Sequence, residues 1–187
     1  MQVLITGKKL EIGEALRAQS EEKVNFVAKK YGLSPLEATV TYSKDGHQVR
    51  CDIEMHLGRG VYVRSNQETL DAYLSLEQAI ETFEKRLRRH KKKLIDHYKK
   101  RDVDYEKVPA LQAIINTQNE QEVEGDNPLI IAEVKTEIPT LTVGEAVMHL
   151  DLSDDLAMLF KNVAHNQLNV VYRRADGNIG WISPSRS

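Results

Sequence analysis

Residues 37–66 read EATVTYSKDGHQVRCDIEMHLGRGVYVRSN, and no other run says as much about the fold. Val, Ile, Thr and Tyr are abundant in its segments 37–43, 49–57 and 60–66, which is the composition of β-strands. Glycine stands in the short gap on either side of the middle segment, as it does in the tight turns of β-hairpins. We therefore predict three consecutive strands joined by hairpin turns.

The flanking sequence adds one strand and two helices. VLITG at residues 3–7 is a short apolar strand closed by a glycine. Apolar residues recur every three or four positions over 12–31 and again over 69–101, which is the spacing of amphipathic helices. The resulting order is β-α-β-β-β-α. We predict an α+β domain over residues 1–104, with both helices on one face of a four-stranded sheet.

The second helix is longer than the sheet that it covers. A helix over residues 69–101 would be about 50 Å long, whereas a strand of eight residues spans about 27 Å. We therefore expect the second half of this helix to overhang the body of the domain.

A second module follows after a polar segment. Residues 105–127 become increasingly acidic, and we interpret them as a flexible linker with at most a helical turn at 111–115. The second module covers residues 128–187 and begins with the apolar strand LIIAEV. Residues 1–104 carry a formal charge of +4 and residues 105–187 a charge of −6, so the two parts suit different partners.

The second module is predicted to be a small β-α-β-β-β domain. Thr142 and Glu145 have the spacing of a capping box, which would start a short helix extending to Leu150. Three more strands are predicted around Phe160, at 168–174 and at 178–182.

The strands of this C-terminal module are apolar on both faces. Leu168, Val170 and Tyr172 point to one side of their strand and Val171 points to the other. One short helix covers only one face of a sheet, so the other face needs a partner, most simply a second copy of the domain. The sequence leaves open which face the helix covers, because that depends on register.

The second helix carries the strongest functional signal. Residues 85–101 include ten Lys or Arg and one acid, Asp96, for a local charge of +9 in a chain whose net charge is −2. A solvated helix face normally mixes both signs, so this run favours phosphate binding over a role in solubility alone. RNA is the favoured ligand, because no helix-turn-helix, zinc finger or zipper accompanies it.

Nothing in the sequence recommends an enzyme. There is no P-loop, GxGxxG, GxSxG or HExxH motif, and the six histidines are scattered, so we expect no cofactor, no metal site and no small-molecule substrate. The single Cys51 falls in a predicted strand and cannot form an internal disulfide, which suits the cytoplasm. With no apolar run of 18 residues and no signal peptide pattern, we expect no membrane association.

The chain contains four notable motifs: ITGKKLEIxxALR at 5–17, the EEKV that follows, LRRHKKKL at 87–94 and NVVYRRADGNIGWI at 169–182. Together they resemble the long form of the bacterial ribosome hibernation promoting factor, a family also called sigma-54 modulation protein or ribosome-associated inhibitor. The resemblance covers nearly the whole chain except the linker. The chain departs from the family pattern at Asp154-Asp155, where Gly-His is expected, and at Trp181, where an aliphatic residue is expected.

This resemblance implies a factor that binds the small ribosomal subunit near the decoding centre and blocks tRNA and mRNA binding, and thus translation, in starved or stationary-phase cells. It also implies that the C-terminal domain forms a homodimer and so promotes inactive ribosome dimers. The implied dimer contacts are Phe160, Val171 and Tyr172, with an intradomain core role as the alternative for Phe160. The implied rRNA contacts are Lys29, Lys30, Lys85, Arg86, Arg88, Arg89, Lys92, Lys93, Lys99 and Lys100.

The alternative function is a modulator of transcription from sigma-54-dependent promoters that acts through protein contacts, as the older family name suggests. Such a protein would not require the cluster of basic residues in the second helix.

Overall fold

The N-terminal part of the chain has the predicted architecture. The computed structural model describes residues 3–58, 60–99, 107–115 and 130–185, with side chains of the second helix described as far as Leu94. The elements are β1 (Val3–Lys8), α1 (Glu14–Lys30), β2 (Glu37–Asp45), β3 (Gln48–His56), β4 (Tyr62–Thr69) and α2 (Ala72–Lys99). The strands form one sheet in the order β1-β2-β3-β4, in which β1 is parallel to β2 and the other neighbours are antiparallel. The predicted α+β class and element order are confirmed.

Alternation along the strands turns one face of this sheet into the core. Val40 and Tyr42 of β2 and Cys51 and Ile53 of β3 are buried, whereas the residues between them are not. Ser20 of α1 lies under the sheet and its Oγ is 2.8 Å from the Tyr42 hydroxyl. The helices fill this core with Leu16, Val24, Val27, Leu76, Phe83 and Leu87, so both cover the same face, as predicted.

A two-stranded hairpin occupies part of the predicted linker. β5 (Val108–Ile115) pairs antiparallel with β6 (Ile130–Ile138). The predicted helical turn at 111–115 is therefore wrong, and β6, predicted to belong to the C-terminal sheet, pairs with β5 instead. Short apolar segments have no strong preference of their own, so the available partner strand decides their conformation. The rest of the predicted linker lies outside the described residues, and the domain boundaries stay predictions.

The C-terminal domain contains β7 (Thr140–Leu141), α3 (Val143–Ser153), β8 (Ala157–Asn162), β9 (Leu168–Arg173) and β10 (Ile179–Ile182). Its sheet has the order β10-β9-β8-β7. The β-α-β-β-β order is confirmed, although the first strand is the short β7 rather than LIIAEV.

Both ends of α3 have a local cause. Thr142 Oγ1 accepts a hydrogen bond from the Glu145 amide at 3.2 Å, and the Glu145 carboxylate accepts one from the Thr142 amide at 2.9 Å, which is the predicted capping box. The helix ends at Ser153, one turn later than predicted. Asp154 then adopts φ 63°, a left-handed conformation that Asp tolerates better than most residues.

As far as Leu94, the far half of α2 does not overhang the structure, contrary to the sequence-based expectation. Leu94 is buried, and Met148 and Leu152 of α3 belong to the same buried cluster as the N-terminal core. The apolar stripe of α2 continues beyond the sheet, and burying it is favourable, so a second element covers it. That element is α3.

Candidate nucleic-acid interface

The basic residues of α2 fall on two sides of the helix that have different surroundings. Lys85, Arg88, Lys91 and Lys92 are exposed, and Lys91 lies on the side towards the end of α1, where its Nζ is 6.0 Å from the centroid of the Tyr31 ring. Arg86, Arg89, His90 and Lys93 lie on the side towards α3.

The end of α1 joins the first of these sides to form one basic surface. Lys30 Nζ donates a hydrogen bond to Glu84 Oε2 of α2 at 2.7 Å, which raises the pKa of Lys30. Lys30 and Lys91 lie 5.8 and 6.0 Å from the centroid of the Tyr31 ring, which fills the junction between the helices. We call this surface the open basic patch. Its members are Lys29, Lys30, Lys85, Arg88, Lys91 and Lys92.

Carboxylates at the end of α3 occupy the second side. Arg86 donates to Asp154 Oδ1 at 2.5 Å and also to the backbone carbonyl of Arg64 in β4. Arg89 Nη1 lies 3.0 and 2.8 Å from the two oxygens of Asp151. The Arg86 side chain is 16% exposed, whereas that of Arg89 remains 55% exposed, so Arg86 is the more deeply covered.

Two more contacts complete this acidic edge. His90 Nε2 lies 2.7 Å from Asp151 Oδ2, and Arg64 donates to Asp155 Oδ1 at 3.3 Å. The hydrogen bond with His90, together with the charge of Arg89, lowers the pKa of Asp151 to about 2, even though partial burial acts in the opposite direction. We call Asp151, Asp154 and Asp155 the acidic edge of α3.

The structure thus divides the residues that the sequence assigned to RNA binding. Lys29, Lys30, Lys85, Arg88 and Lys92 are exposed and belong to the open basic patch. Arg86 and Arg89 face the acidic edge of α3, and Lys93 lies beside Gly144 in the first turn of α3. The Lys99 side chain and Lys100 lie outside the described part of the chain.

Sequence reasoning missed the acidic edge. The available signal was the pair Asp154-Asp155, which replaces the Gly-His expected from the family pattern. The sequence alone does not indicate a partner for these two aspartates. In the folded chain Asp154 pairs with Arg86 and Asp155 pairs with Arg64.

The register of the C-terminal sheet separates the three predicted dimer residues. Phe160 and Val171 have no exposed surface and belong to the core under α3, together with Leu150. Tyr172 is half-buried on the opposite face, where its ring lies against Gly180 so closely that a Cβ there would clash with it. In this chain Phe160 therefore takes the alternative role, that of a core residue.

The face opposite α3 is apolar and open. Leu159, Leu168 and Ile182 are 43%, 48% and 58% exposed. Val170 of β9 pairs with Leu159 of β8 on one side and with Ile182 of β10 on the other. Leu159, Val170 and Ile182 therefore form a row across the three strands. We call this surface the open sheet face.

The described part of the chain shows no sign of a reactive cysteine, a metal site or a membrane-spanning helix. Cys51 is fully buried in the N-terminal core, and burial raises the pKa of its thiol to about 12, so it is not a nucleophile at neutral pH. Among the described residues no group of three or more His, Cys, Asp or Glu could hold a metal ion. In the same part of the chain, no helix is both long and apolar enough to cross a membrane.

Both the N-terminal and the C-terminal part of the chain are similar in sequence to known proteins. Residues 3–95 match the family described as Sigma 54 modulation protein / S30EA ribosomal protein, and residues 125–180 match the C terminus of the same family. The chain is 38% identical over 192 residues to the ribosome hibernation promotion factor of Bradyrhizobium diazoefficiens, covering 98% of this chain and 95% of that protein. The factor of the same name from Rhizobium meliloti is 35% identical over 184 residues, with 97% and 96% covered.

Among solved structures, the chain is similar to the N-terminal domain of Protein Y from Thermus thermophilus, with 30% sequence identity and a TM-score of 0.43. The match covers 48% of this chain and 98% of the Protein Y domain.

Proposed function

The chain belongs to the long-form ribosome hibernation promotion factors, and from this we propose that it binds the small ribosomal subunit near the decoding centre. There it blocks tRNA and mRNA binding and so stops translation in starved or stationary-phase cells. Its C-terminal domain pairs with that of a second copy, and the pair holds two ribosomes together as an inactive dimer.

The open basic patch supports the first half of this proposal. Six cationic side chains from two helices are exposed, and Lys30 of α1 and Lys91 of α2 meet at the Tyr31 ring. Within the described part of the chain, Lys30 is the only one of the six that pairs with a carboxylate, that of Glu84. Neutralising RNA phosphates with such a patch releases condensed counterions, which drives binding without any need for base-specific contacts. A protein that holds ribosomes inactive irrespective of the message needs that kind of recognition.

The open sheet face supports the second half. Leu159, Leu168 and Ile182 expose much of their apolar surface in the single chain, and Val170 and Tyr172 extend the same face. An apolar sheet face of this kind is stabilised by burial against another surface. A second copy presents the identical face, as a twofold interface requires.

Reversing charge on the open basic patch tests the ribosomal role. We expect Lys85→Glu, Arg88→Glu and Lys92→Glu together to weaken binding to purified small subunits by more than roughly a hundredfold, since each charge-assisted contact contributes about 1.5–3 kcal/mol. The dependence of log affinity on log salt should also become shallower by about 2–3. Co-sedimentation at several salt concentrations measures both quantities.

The matched control makes the same change in charge elsewhere. Lys8→Glu, Lys44→Glu and Lys135→Glu alter exposed lysines outside the patch and should leave most of the binding intact. If the patch variant still pellets with small subunits while circular dichroism shows it folded, the patch is not the binding surface. Failure of the wild-type chain to pellet would favour the transcriptional alternative.

A further inference from the structure

We propose that the C-terminal domain is itself a ligand of the basic helix: in the chain away from the ribosome, the acidic edge of α3 occupies Arg86 and Arg89, and RNA must displace it. The consequence for ribosome binding rests on the function proposed above.

The carboxylates of Asp151 and Asp154 contact the same guanidinium groups that would bind RNA phosphates. An arginine fork binds carboxylate and phosphate with similar geometry, so each guanidinium group serves one or the other. Asp154 holds Arg86, and both oxygens of Asp151 lie within 3.0 Å of Arg89 Nη1. Asn66 Nδ2 lies 3.4 Å from Asp154 Oδ2 and Arg64 holds Asp155, so β4 takes part in the same contact.

An apolar contact accompanies the charges and shows that the docking surface of α3 is specific. Ala146 and Leu150 face the core of the C-terminal sheet. Met148 and Leu152 have no exposed surface and belong instead to the N-terminal core cluster. The helix therefore has two buried faces, one for its own domain and one for the basic helix and β4. A helix that served only its own sheet would need a single apolar stripe.

The contact is suited to being reversible. It involves the part of the basic surface that faces α3, while the open basic patch stays accessible to a first encounter with RNA. Both partners belong to one chain, so docking occurs at a high effective concentration and needs few contacts to persist. A nucleic acid with many phosphates then replaces the acidic edge, and the C-terminal domain moves away from α2.

Coupling between the two events is reciprocal. If bound RNA weakens docking of the C-terminal domain on α2, docking weakens RNA binding by the same factor. Removing the carboxylates that hold the domain on α2 should therefore raise the affinity for RNA. Two neutralising substitutions remove the carboxylates that hold Arg86 and Arg89, with little change in shape. Asp154→Asn preserves the left-handed conformation at φ 63°, which Asn also adopts, and Asp151→Asn has nearly the same volume.

The test compares two double variants with equal net charge. Asp151→Asn/Asp154→Asn should bind purified small subunits at least tenfold more tightly than Glu133→Gln/Glu137→Gln, whose carboxylates lie on β6 away from the acidic edge. Met148→Gln is a second way to open the contact without altering any charge, and it should also strengthen binding. Trp181 fluorescence verifies that the C-terminal domain stays folded in each variant.

A direct measurement of the contact separates this inference from the ribosomal function. Dyes at Lys44→Cys and Gln167→Cys, both exposed positions in different domains, report the interdomain distance by energy transfer, while the native Cys51 is buried and inaccessible. Diluting labelled protein into excess unlabelled protein leaves only transfer within one chain. Transfer should change in Asp151→Asn/Asp154→Asn and in Met148→Gln, and on adding small subunits to the wild type.

Three results would overturn the inference: transfer that is equal in wild type and both opening variants, transfer that disappears on dilution, or subunit affinity that is equal in the two double variants. If no variant binds small subunits but transfer still changes on opening, the intrachain contact stands and the ribosomal function fails.

Discussion

Phe160 is the residue whose role the structure changes most. It was a candidate for the dimer interface because large aromatic residues often dominate such surfaces. In the folded chain it has no exposed surface and packs with Leu141, Leu150 and Val171 beneath α3. Its position is therefore that of a core residue, and the consequences of its substitution differ accordingly.

We expect Phe160→Ala to destabilise the C-terminal domain by about 3–5 kcal/mol, because it removes a large buried side chain and leaves a cavity. Trp181 is the one tryptophan of the chain and lies in β10, so its fluorescence during urea unfolding reports on this domain. Leu168→Ala, on the open sheet face, is the control and should cost much less. A folded monomer produced by Phe160→Ala would instead support the original interface assignment.

Asp151 supplies a prediction about pH. Its pKa is lowered from 3.8 to about 2 in the folded chain, so it stabilises the fold fully above about pH 4 and loses that contribution as the pH falls towards 2. The difference corresponds to about 2 kcal/mol. The stability difference between wild type and Asp151→Asn, measured by urea unfolding, should be present at pH 6 and nearly absent at pH 2. A difference that does not vary with pH would contradict the assigned ion pairs.

Single elements were predicted with unequal success, and the reason is whether their signal is local. α3 begins where its capping box indicated, because Thr142 and Glu145 interact within one helical turn. β5 was predicted as linker, because its conformation depends on pairing with β6, which lies 15 or more residues further along the chain. Local interactions, including the hairpins β2–β3 and β3–β4, can be read from a pattern of residues, whereas pairing between strands that lie far apart in sequence cannot.

The open sheet face is the candidate interface between two copies of the chain. Leu159→Lys with Ile182→Lys should convert a dimer into a monomer, weakening association by at least about 3 kcal/mol, or roughly a hundredfold, because two apolar side chains of each copy lose their burial. Sedimentation velocity measures the oligomeric state. Both residues are substantially exposed in the single chain, so the domain itself should remain folded.

The β5–β6 hairpin provides the matched control for that experiment. Ile131 and Val134 are 58% and 51% exposed on β6, and Ile131→Lys with Val134→Lys introduces the same charges on a different apolar surface. If this control pair abolishes the dimer and the first pair does not, the hairpin is the interface.

The two domains together give the prediction for the whole molecule. Residues 1–104 retain the four-stranded sheet and both helices that cover it, so we expect this fragment to bind small subunits and inhibit translation. It lacks the C-terminal sheet and should form no ribosome dimers. Sucrose-gradient profiles with the fragment and with the full chain distinguish the two activities. Dimers formed by the fragment would show that the C-terminal domain has another role.

Most of the architecture was accessible from the residues alone. Alternation in 37–66 and helical periodicity in 12–31 and 69–101 predicted the α+β fold, and the excess of basic residues made α2 the candidate for RNA binding. Family membership supports the conclusion that the chain is not an enzyme. The strands, the helices and the basic run of α2 can be predicted because each depends on residues within a few positions of one another, and the geometry of helices and strands is known.

Contacts between distant residues required the folded chain. Arg86 and Asp154 are separated by 68 positions, and no local pattern connects them. The same holds for the face of β9 that α3 covers, because moving its register by one residue would exchange Val171 for Tyr172. Packing of α3 on two sides settles both questions at once: it places Val171 in the core, leaves Leu168 on the open sheet face and brings the acidic edge to the arginines of α2.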